Sequence, residues 1–259
     1  MSWASKRRTG YLLGVLLFFA IVIGIPAALW LYEPPACFDG TQNQGETATD
    51  KGGPCNILDE RSLIPHSTLW SRALLVRGGN YNAIAYIENP NKEAGVRRIG
   101  YHFGLYDQRN VVVAERVGVT FIMPGGITPV FEGSINTGNR PVVRTYFEFT
   151  ETPVWERMTN AAAALLISNK KLSSVDSVPR LSAIVENTSV ASVTNPSFAG
   201  VVFDPAGNAF ASSATTLDRL DPGEKHEIVF TWPDPFSSPV GRVDILPFIP
   251  PTPAPLPGR

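Results

Sequence analysis

The sequence predicts an all-β chain carried behind a single transmembrane α-helix, and three observations predict it. Residues 11–32 form one apolar run with no acidic or basic side chain. Residues 70–250 lack a helical period and instead show short alternating β-branched and aromatic runs parted by Gly, Pro, Asn and Asp. Within that region several short strings recur at a nearly constant spacing of 97 or 98 residues. With 44% hydrophobic and 17% charged residues over 259, the chain has the composition of a packed protein.

The apolar run, YLLGVLLFFAIVIGIPAALWLY, is long enough at helical rise to cover roughly 33 Å, about one bilayer core. Lys6, Arg7 and Arg8 precede it, and no acidic residue occurs in the first 32. That asymmetry predicts a cytoplasmic N-terminus and an extracytoplasmic remainder. Tyr11 marks one interface, Trp30 and Tyr32 the other, and Pro26 predicts a kink that a lipid-embedded helix tolerates. The alternative is a cleaved signal peptide, whose apolar region is usually about 7 to 15 residues. Trp30-Leu31-Tyr32-Glu33-Pro34-Pro35 is a poor cleavage context, and Pro34-Pro35-Ala36 before Cys37 lacks the Leu of a lipoprotein box.

Residues 37–55 are rich in turn formers and nearly devoid of apolar side chains, so they cannot build a core. Cys37 and Cys55 are the two cysteines of the chain and are expected to form a disulfide, within one chain or between two. Asp39, Asn43, Glu46 and Asp50 offer oxygens that a loop can wrap around Ca²⁺, or that serve a metal-free cluster of turns; the EF-hand spacing is not met. The string resembles a small cysteine module of bacterial surface proteins, C-x-D-G-x-x-N-x-x-E-x-x-x-D-C-G-G-x-C, with Lys51 in place of its middle Cys.

The repeat is read from four matches. Ala85-Tyr86-Ile87-Glu88-Asn89-Pro90 recurs as Ala183-Ile184-Val185-Glu186-Asn187-Thr188, and Gly104-Leu105-Tyr106-Asp107 as Val201-Val202-Phe203-Asp204. Pro124-Gly125 recurs as Pro222-Gly223, and Arg144 as Arg242. A unit of this length is the size of an immunoglobulin-like β-sandwich, so two such sandwiches in tandem are expected. Tyr101, Phe103 and Leu105 alternate onto one strand face that reverses at Asp107. Asp204-Pro205-Ala206-Gly207 spells the corresponding turn. Leu74-Leu75-Val76 and Leu165-Leu166-Ile167 are the expected first strands, and Thr128–Phe131 and Glu227–Phe230 follow the two Pro-Gly corners.

Phe103-Gly104-Leu105-Tyr106-Asp107 with the upstream Glu88-Asn89 resembles the FxLYD family of extracytoplasmic immunoglobulin-like domains. The second copy departs from the signature, with Gly200 in place of the aromatic, so its packing there must differ. Anchor, cysteine module and paired domains together resemble single-pass envelope proteins of small-genome bacteria. That resemblance covers nearly the whole chain, carries no known activity and transfers no catalytic residue.

The expected organisation is a cytoplasmic basic tail (1–10), a transmembrane helix (11–32), a Cys-bracketed stalk (33–66), sandwich one (67–158), sandwich two (159–249) and an extended Pro-rich tail (250–259). Residues 156–164 are the expected boundary, as a helical turn or a linker.

Chemistry is sparse. His66 and His226 read as loop residues and His102 as a surface residue, since it alternates with Tyr101 and Phe103. No G-x-S-x-G, H-E-x-x-H or phosphate-binding glycine loop is present. Trp155 and Trp232 either plug the ends of their cores or form an exposed contact surface. With 22 basic and 23 acidic residues the net charge is −1, and setting aside Lys6, Arg7 and Arg8 leaves 19 basic against 23 acidic. No positive field exists to hold nucleic acid. The expected partners are the membrane, crossed once, and a protein or glycan outside the cytoplasm. The expected role is non-enzymatic, with an accessory subunit of a secretion, pilus or transport complex as one alternative and an enzyme with an unrecognised site, which would need a polar pocket at the junction between the repeats, as the other.

Overall fold

The computed structural model describes residues 3–31, 36–43 and 45–254. Tyr32 as an interfacial anchor and residues 255–259 of the tail lie outside the described residues. The chain begins as a helical rod, α1 (Trp3–Phe19) and α2 (Ile25–Leu31), joined by a π-helical turn over Ala20–Gly24. The wide turn sits directly before Pro26, which has no N–H for the carbonyl four residues back, so the irregularity falls where the helical ladder is already broken. Arg8–Ala28 has a mean hydropathy of 2.5, and none of its apolar window is buried against the rest of the chain. By length and composition this helix serves as a membrane span or as a signal sequence.

The first half of the β region has six main strands: β1 (Ser67–Arg77), β2 (Asn80–Asn89), β3 (Ala94–Tyr106), β4 (Val112–Ile122), β5 (Gly126–Asn136) and β6 (Arg144–Phe149). They form two antiparallel sheets, one ordered β1-β2-β5 and one in which β3 lies between β4 and β6. Tyr101, Phe103 and Leu105 turn inward as the alternation predicts, packing on Ala83, Ala85 and Ile87 of β2. After β7 (Glu156–Thr159) and a 3₁₀ turn at Ala161–Ala164, the pattern repeats. β8 (Leu165–Ser173), β9 (Arg180–Asn187), β10 (Val193–Thr194), β11 (Ser197–Phe203), β12 (Ala209–Thr216), β13 (Arg219–Leu220), β14 (Lys225–Thr231) and β15 (Arg242–Phe248) follow. Their sheets run β8-β9-β14 and β12-β11-β15, the same orders as in the first half, with β10-β13 as a short extra ribbon.

The repeated residues do the same work twice. Asn89 and Asn187 are fully buried. Asn89 Nδ2 donates to the carbonyls of Ala94 (2.7 Å) and Met123 (2.8 Å), and its Oδ1 accepts from Asn91 N. Asn187 donates to Ala191 (2.8 Å) and Leu220 (3.0 Å) and accepts from Ser189 N. Each amide thus ties a loop crossing between sheets to a second chain segment. Asp107 and Asp204 close the hairpins: each Oδ1 accepts the backbone N–H four residues on, at 3.0 and 2.8 Å. Those amide bonds lead the causes that lower both carboxyl pKa values.

Gly200 explains its own departure from the aromatic. A Cβ there would lie 3.0 Å from the Phe230 ring, which occupies the space. By strand register Phe230, opposite Leu181, corresponds to Glu132, opposite Ala83. In the first half Glu132 instead accepts from the Tyr101 hydroxyl, and Tyr101 corresponds to Phe198. The set Tyr101, Phe103, Glu132 has become Phe198, Gly200, Phe230, so the aromatic bulk has moved from one sheet to the other.

The two halves are stacked face to face. The outer face of β1-β2-β5 meets the outer face of β12-β11-β15, burying Leu74, Ile84 and Tyr86 against Ala199, Val201 and Phe203. Four sheets therefore enclose three apolar layers, and β2 and β11 are buried on both sides. Trp70 lies on Tyr86 with ring centroids 4.3 Å apart and edge-on to Phe203 at 6.0 Å. At the seam's margin Arg72 donates to Ala209 O, Asn82 to Ser212 O, and Arg77 pairs with Asp234.

Both ends of the β region converge on β7. Residues 52–58 are not a free stalk: Leu58 N donates to Trp155 O (2.8 Å), Arg157 N to Asn56 O (2.7 Å), and Arg157 Nη2 to Gly53 O. Along the same edge β7 pairs with β16 (Thr252–Pro253), Ala254 N donating to Arg157 O, while its other edge pairs with β3; the tail, expected only as an extended segment, thus contributes a short strand. Replacing Asn187 by Ala removes the amide that serves the buried Leu220 carbonyl together with Ala191 O and Ser189 N and should cost about 1–3 kcal/mol, as should Asn89→Ala. The check is the denaturant midpoint of each variant; an unchanged midpoint removes the amide from the framework.

Candidate functional site

Three places collect polar side chains, and the first is the cysteine loop. Cys37 and Cys55 are bridged within one chain, Cα to Cα 5.5 Å. The loop is tight because Gly52 and Gly53 take positive φ and approach Thr47 and the Gly45 carbonyl so closely that a Cβ would lie 2.2 and 2.3 Å from them. Its acids are spent on the fold. Asp39 accepts from Thr41 N (2.8 Å), Thr41 Oγ1 (2.7 Å) and Asn43 Nδ2 (2.8 Å). Asp50 accepts from Asp39 N and Gly40 N, and Glu46 from Asn43 N and Asp50 N. Hydrogen bonds from Thr41 lead the causes that hold the Asp39 carboxyl below its ordinary range.

Of the two readings of Asp39, Asn43, Glu46 and Asp50, a Ca²⁺ loop or a metal-free cluster of turns, the hydrogen bonds are those of a cluster of turns. A cation shell needs oxygens converging on one point. Among the described residues, the one group of three or more His, Cys, Asp or Glu with converging atoms is Cys37, Glu46 and Cys55. Two of its members are consumed by the disulfide. Glu46 Oε1 lies 3.1 Å from Cys55 Sγ, a close contact and not a hydrogen bond, because a bridged sulfur carries no proton.

The second place is the outer face of β4, β3 and β6. His102 points outward as alternation predicts but is not a free surface residue: its ring lies between Glu115 (Nε2 to Oε1 3.3 Å) and Glu148 (Nδ1 to Oε1 3.5 Å). Glu148 also accepts from Tyr146 Oη at 3.0 Å. Beside them the Tyr106 ring folds back over Gly104, and the Arg144 guanidinium caps it at 4.8 Å. The corresponding Arg242 caps Phe203 at 4.2 Å, inside the seam between the halves. The face combines an imidazole, two carboxylates and an exposed aromatic edge.

The third is a cleft of about 600 Å³ where β7, the Pro124-Gly125 corner and Ala254 meet. Its polar groups are already engaged: Arg157 faces Glu93 at 3.6 Å, Thr159 bonds Thr252, and Asn160 Nδ2 donates to Pro124 O. Lys92 adds a charge, and the lining holds no Ser, Cys, His or Asp.

Trp155 and Trp232 are both corrected as contact surfaces. Their exposures are 6% and 5%, and they pack in the first-half and second-half cores. Trp232 Nε1 donates to Ser212 O, while Trp155 and Phe149 hold the ring of His66, each at 5.6 Å. His66 is therefore a half-buried plug, and burial lowers its pKa. His226, expected in a loop, lies exposed in β14.

The loop's anchoring can be read by acid. Asp59 is held down to about 2, chiefly by the hydrogen bond from Arg61, which also donates to Thr47 O. Since that lies below the ordinary carboxylate value of about 3.9, the contact is complete above pH 4 and is lost as pH falls through about 2. Amide exchange of the 37–63 segment should rise over that window, and Asp59→Asn should flatten the change. The double variant Cys37→Ser with Cys55→Ser should give up about 3 kcal/mol of loop closure. Faster exchange at Leu58 and Arg157 with the β layers unaltered is the expected result; an unmoved loop would assign its order to β7 alone.

No protein-family model matches the chain, and no curated protein does. Among solved structures, it is similar to red sea bream transglutaminase at 12% identity, over 70% of this chain and 29% of that one, with a TM-score of 0.22. It is also similar to a Bacteroides uniformis β-glucuronidase at 15% identity, over 60% of this chain and 22% of that one, with a TM-score of 0.19. The chain spans less than a third of the length of these structures.

Proposed function

We propose that the chain is a single-pass membrane protein with its N-terminus in the cytoplasm, displaying two immunoglobulin-like β-sandwiches of the FxLYD kind on the outer side as a non-enzymatic binding or structural module of the cell envelope. The observation that carries this reading is the contrast between the two parts. The core strands of the β region pack against one another, whereas none of the apolar window within Arg8–Ala28 is buried, and Lys6, Arg7 and Arg8 stand at its N-terminal end. An intrachain disulfide accords with an oxidising compartment. Asp39, Glu46 and Asp50 of the cysteine loop and Arg157 with Glu93 of the cleft are engaged in holding the fold, and the face around His102, Tyr106 and Tyr146 is the surface offered to a protein or glycan partner.

A second reading, an accessory subunit whose helix makes the specific contact, draws on the rod itself. Gly10 and Gly14 lie one turn apart with nothing against them, and the π-turn interrupts the helix at its middle. Replacing residues 11–32 with an unrelated spanning helix separates the two, since the accessory role alone should then fail. For the anchor, alkaline extraction of membranes should leave the full-length chain in the pellet with its N-terminal residues intact. A mature species beginning beyond residue 32 would end the anchored reading.

A further inference from the structure

Each strand edge of a sheet is a row of unpaired amides and carbonyls, and here nearly every long edge is blunted. On β1 the Ala73 N–H is taken by Thr145 Oγ1 at 2.7 Å, and the register breaks twice. β5 carries Pro129 and a register shift, β8 a shift with Lys170 and Lys171, and β15 carries Pro247. β12 has its Ala209 and Ser212 carbonyls capped by side chains, and β14 carries Lys225 and lies between Pro222 and Pro233.

β4 is different. It contains no Pro and no Lys, and from Ala114 to Thr120 it keeps unbroken register with β3. Among the described residues it pairs with β3 alone. The carbonyls of Gly100 and Tyr106 accept from the β6 side, so the even residues of β3 address β6 and the odd ones address β4. The β4 residues opposite those odd positions are Ala114, Arg116, Gly118 and Thr120. Glu115, Val117 and Val119 therefore turn their N–H and C=O groups to the outer edge, where Arg116 Nη1 takes the Glu115 carbonyl at 2.9 Å and Val117 and Val119 form the open stretch. Val117 is also 73% exposed and Val119 53%.

We propose that β4 is a homotypic pairing edge: a second copy of the chain lays its own β4 antiparallel along this one, joining the two outer sheets across a two-fold axis. Such an axis keeps each face on its own side and sets edge-facing residues opposite edge-facing residues. The register with Val117 opposite the partner's Val119 forms two Val–Val pairs and places Arg116 opposite the partner's Thr120. Shifts that stack Arg116 or Glu115 on its own copy bring like charges together. This self-complementarity favours a second copy over an unrelated strand, and it does not depend on the functional reading above.

The test uses the full chain in detergent micelles. Sedimentation should give a dimer, and Val117→Pro, which removes an N–H pointing away from β3, should raise its dissociation constant at least ten-fold while circular dichroism and melting stay unchanged. Val117→Lys gives the same reading if the proline variant does not fold. Mixing Val117→Cys with Val119→Cys should form an intermolecular disulfide faster than either variant alone. A wild-type chain that stays monomeric at micromolar concentration overturns the proposal, as does a dimer untouched by both variants, which would place association in the helix. Equal crosslinking of single and mixed variants overturns the register.

Discussion

A strand with apolar layers on both sides has no side chain that can meet water, and two strands of this chain are in that position. Ala83–Ile87 of β2 and Phe198–Phe203 of β11 are buried without interruption, because the two halves are stacked through their middle sheets. At roughly 25 cal/mol per Å² of apolar surface, such a seam is worth far more than the few polar contacts at its margin. It sets the order of layers, and through them the distance between the two outermost sheets. What remains outside, including the face around His102, is defined by which sheets the seam has consumed.

Polar groups inside this stack act as connectors. Asn89 and Asn187 spend their whole amide on crossing loops, while the Tyr86 hydroxyl, buried in the seam, finds no hydrogen-bond partner among the described residues. Burial, aided by the charge of Asp244, raises the Tyr86 pKa. An unmatched buried hydroxyl costs about 1–3 kcal/mol, a loss that the ring offsets by its contacts with Trp70. The seam tolerates this because its apolar area is large.

Much of the framework was legible in the residues. The constant spacing identified both corner asparagines and both hairpin aspartates, since a backbone requirement for a particular donor or acceptor persists when packing changes. Alternation placed Tyr101, Phe103 and Leu105 inward correctly. The seam was not legible: an uninterrupted apolar run such as Phe198–Phe203 reads the same whether its second face meets another sheet or a helix. The convergence of the cysteine loop and β16 on β7 was equally hidden, because four residues pairing with three distant segments leave no local period. For the carboxylates of the cysteine loop the residues left two uses open, because sequence shows which oxygens are near and not which amides they serve.

The exchange of Tyr101, Phe103 and Glu132 for Phe198, Gly200 and Phe230 carries a historical consequence. If both units descend from one ancestor, the copies diverged through coupled replacements, for a ring at position 200 and a ring at position 230 occupy the same volume. Restoring the aromatic in the second unit alone collides, and shortening Phe230 alone opens a void. In the second unit the residue tolerated at position 200 is therefore set by the one at position 230.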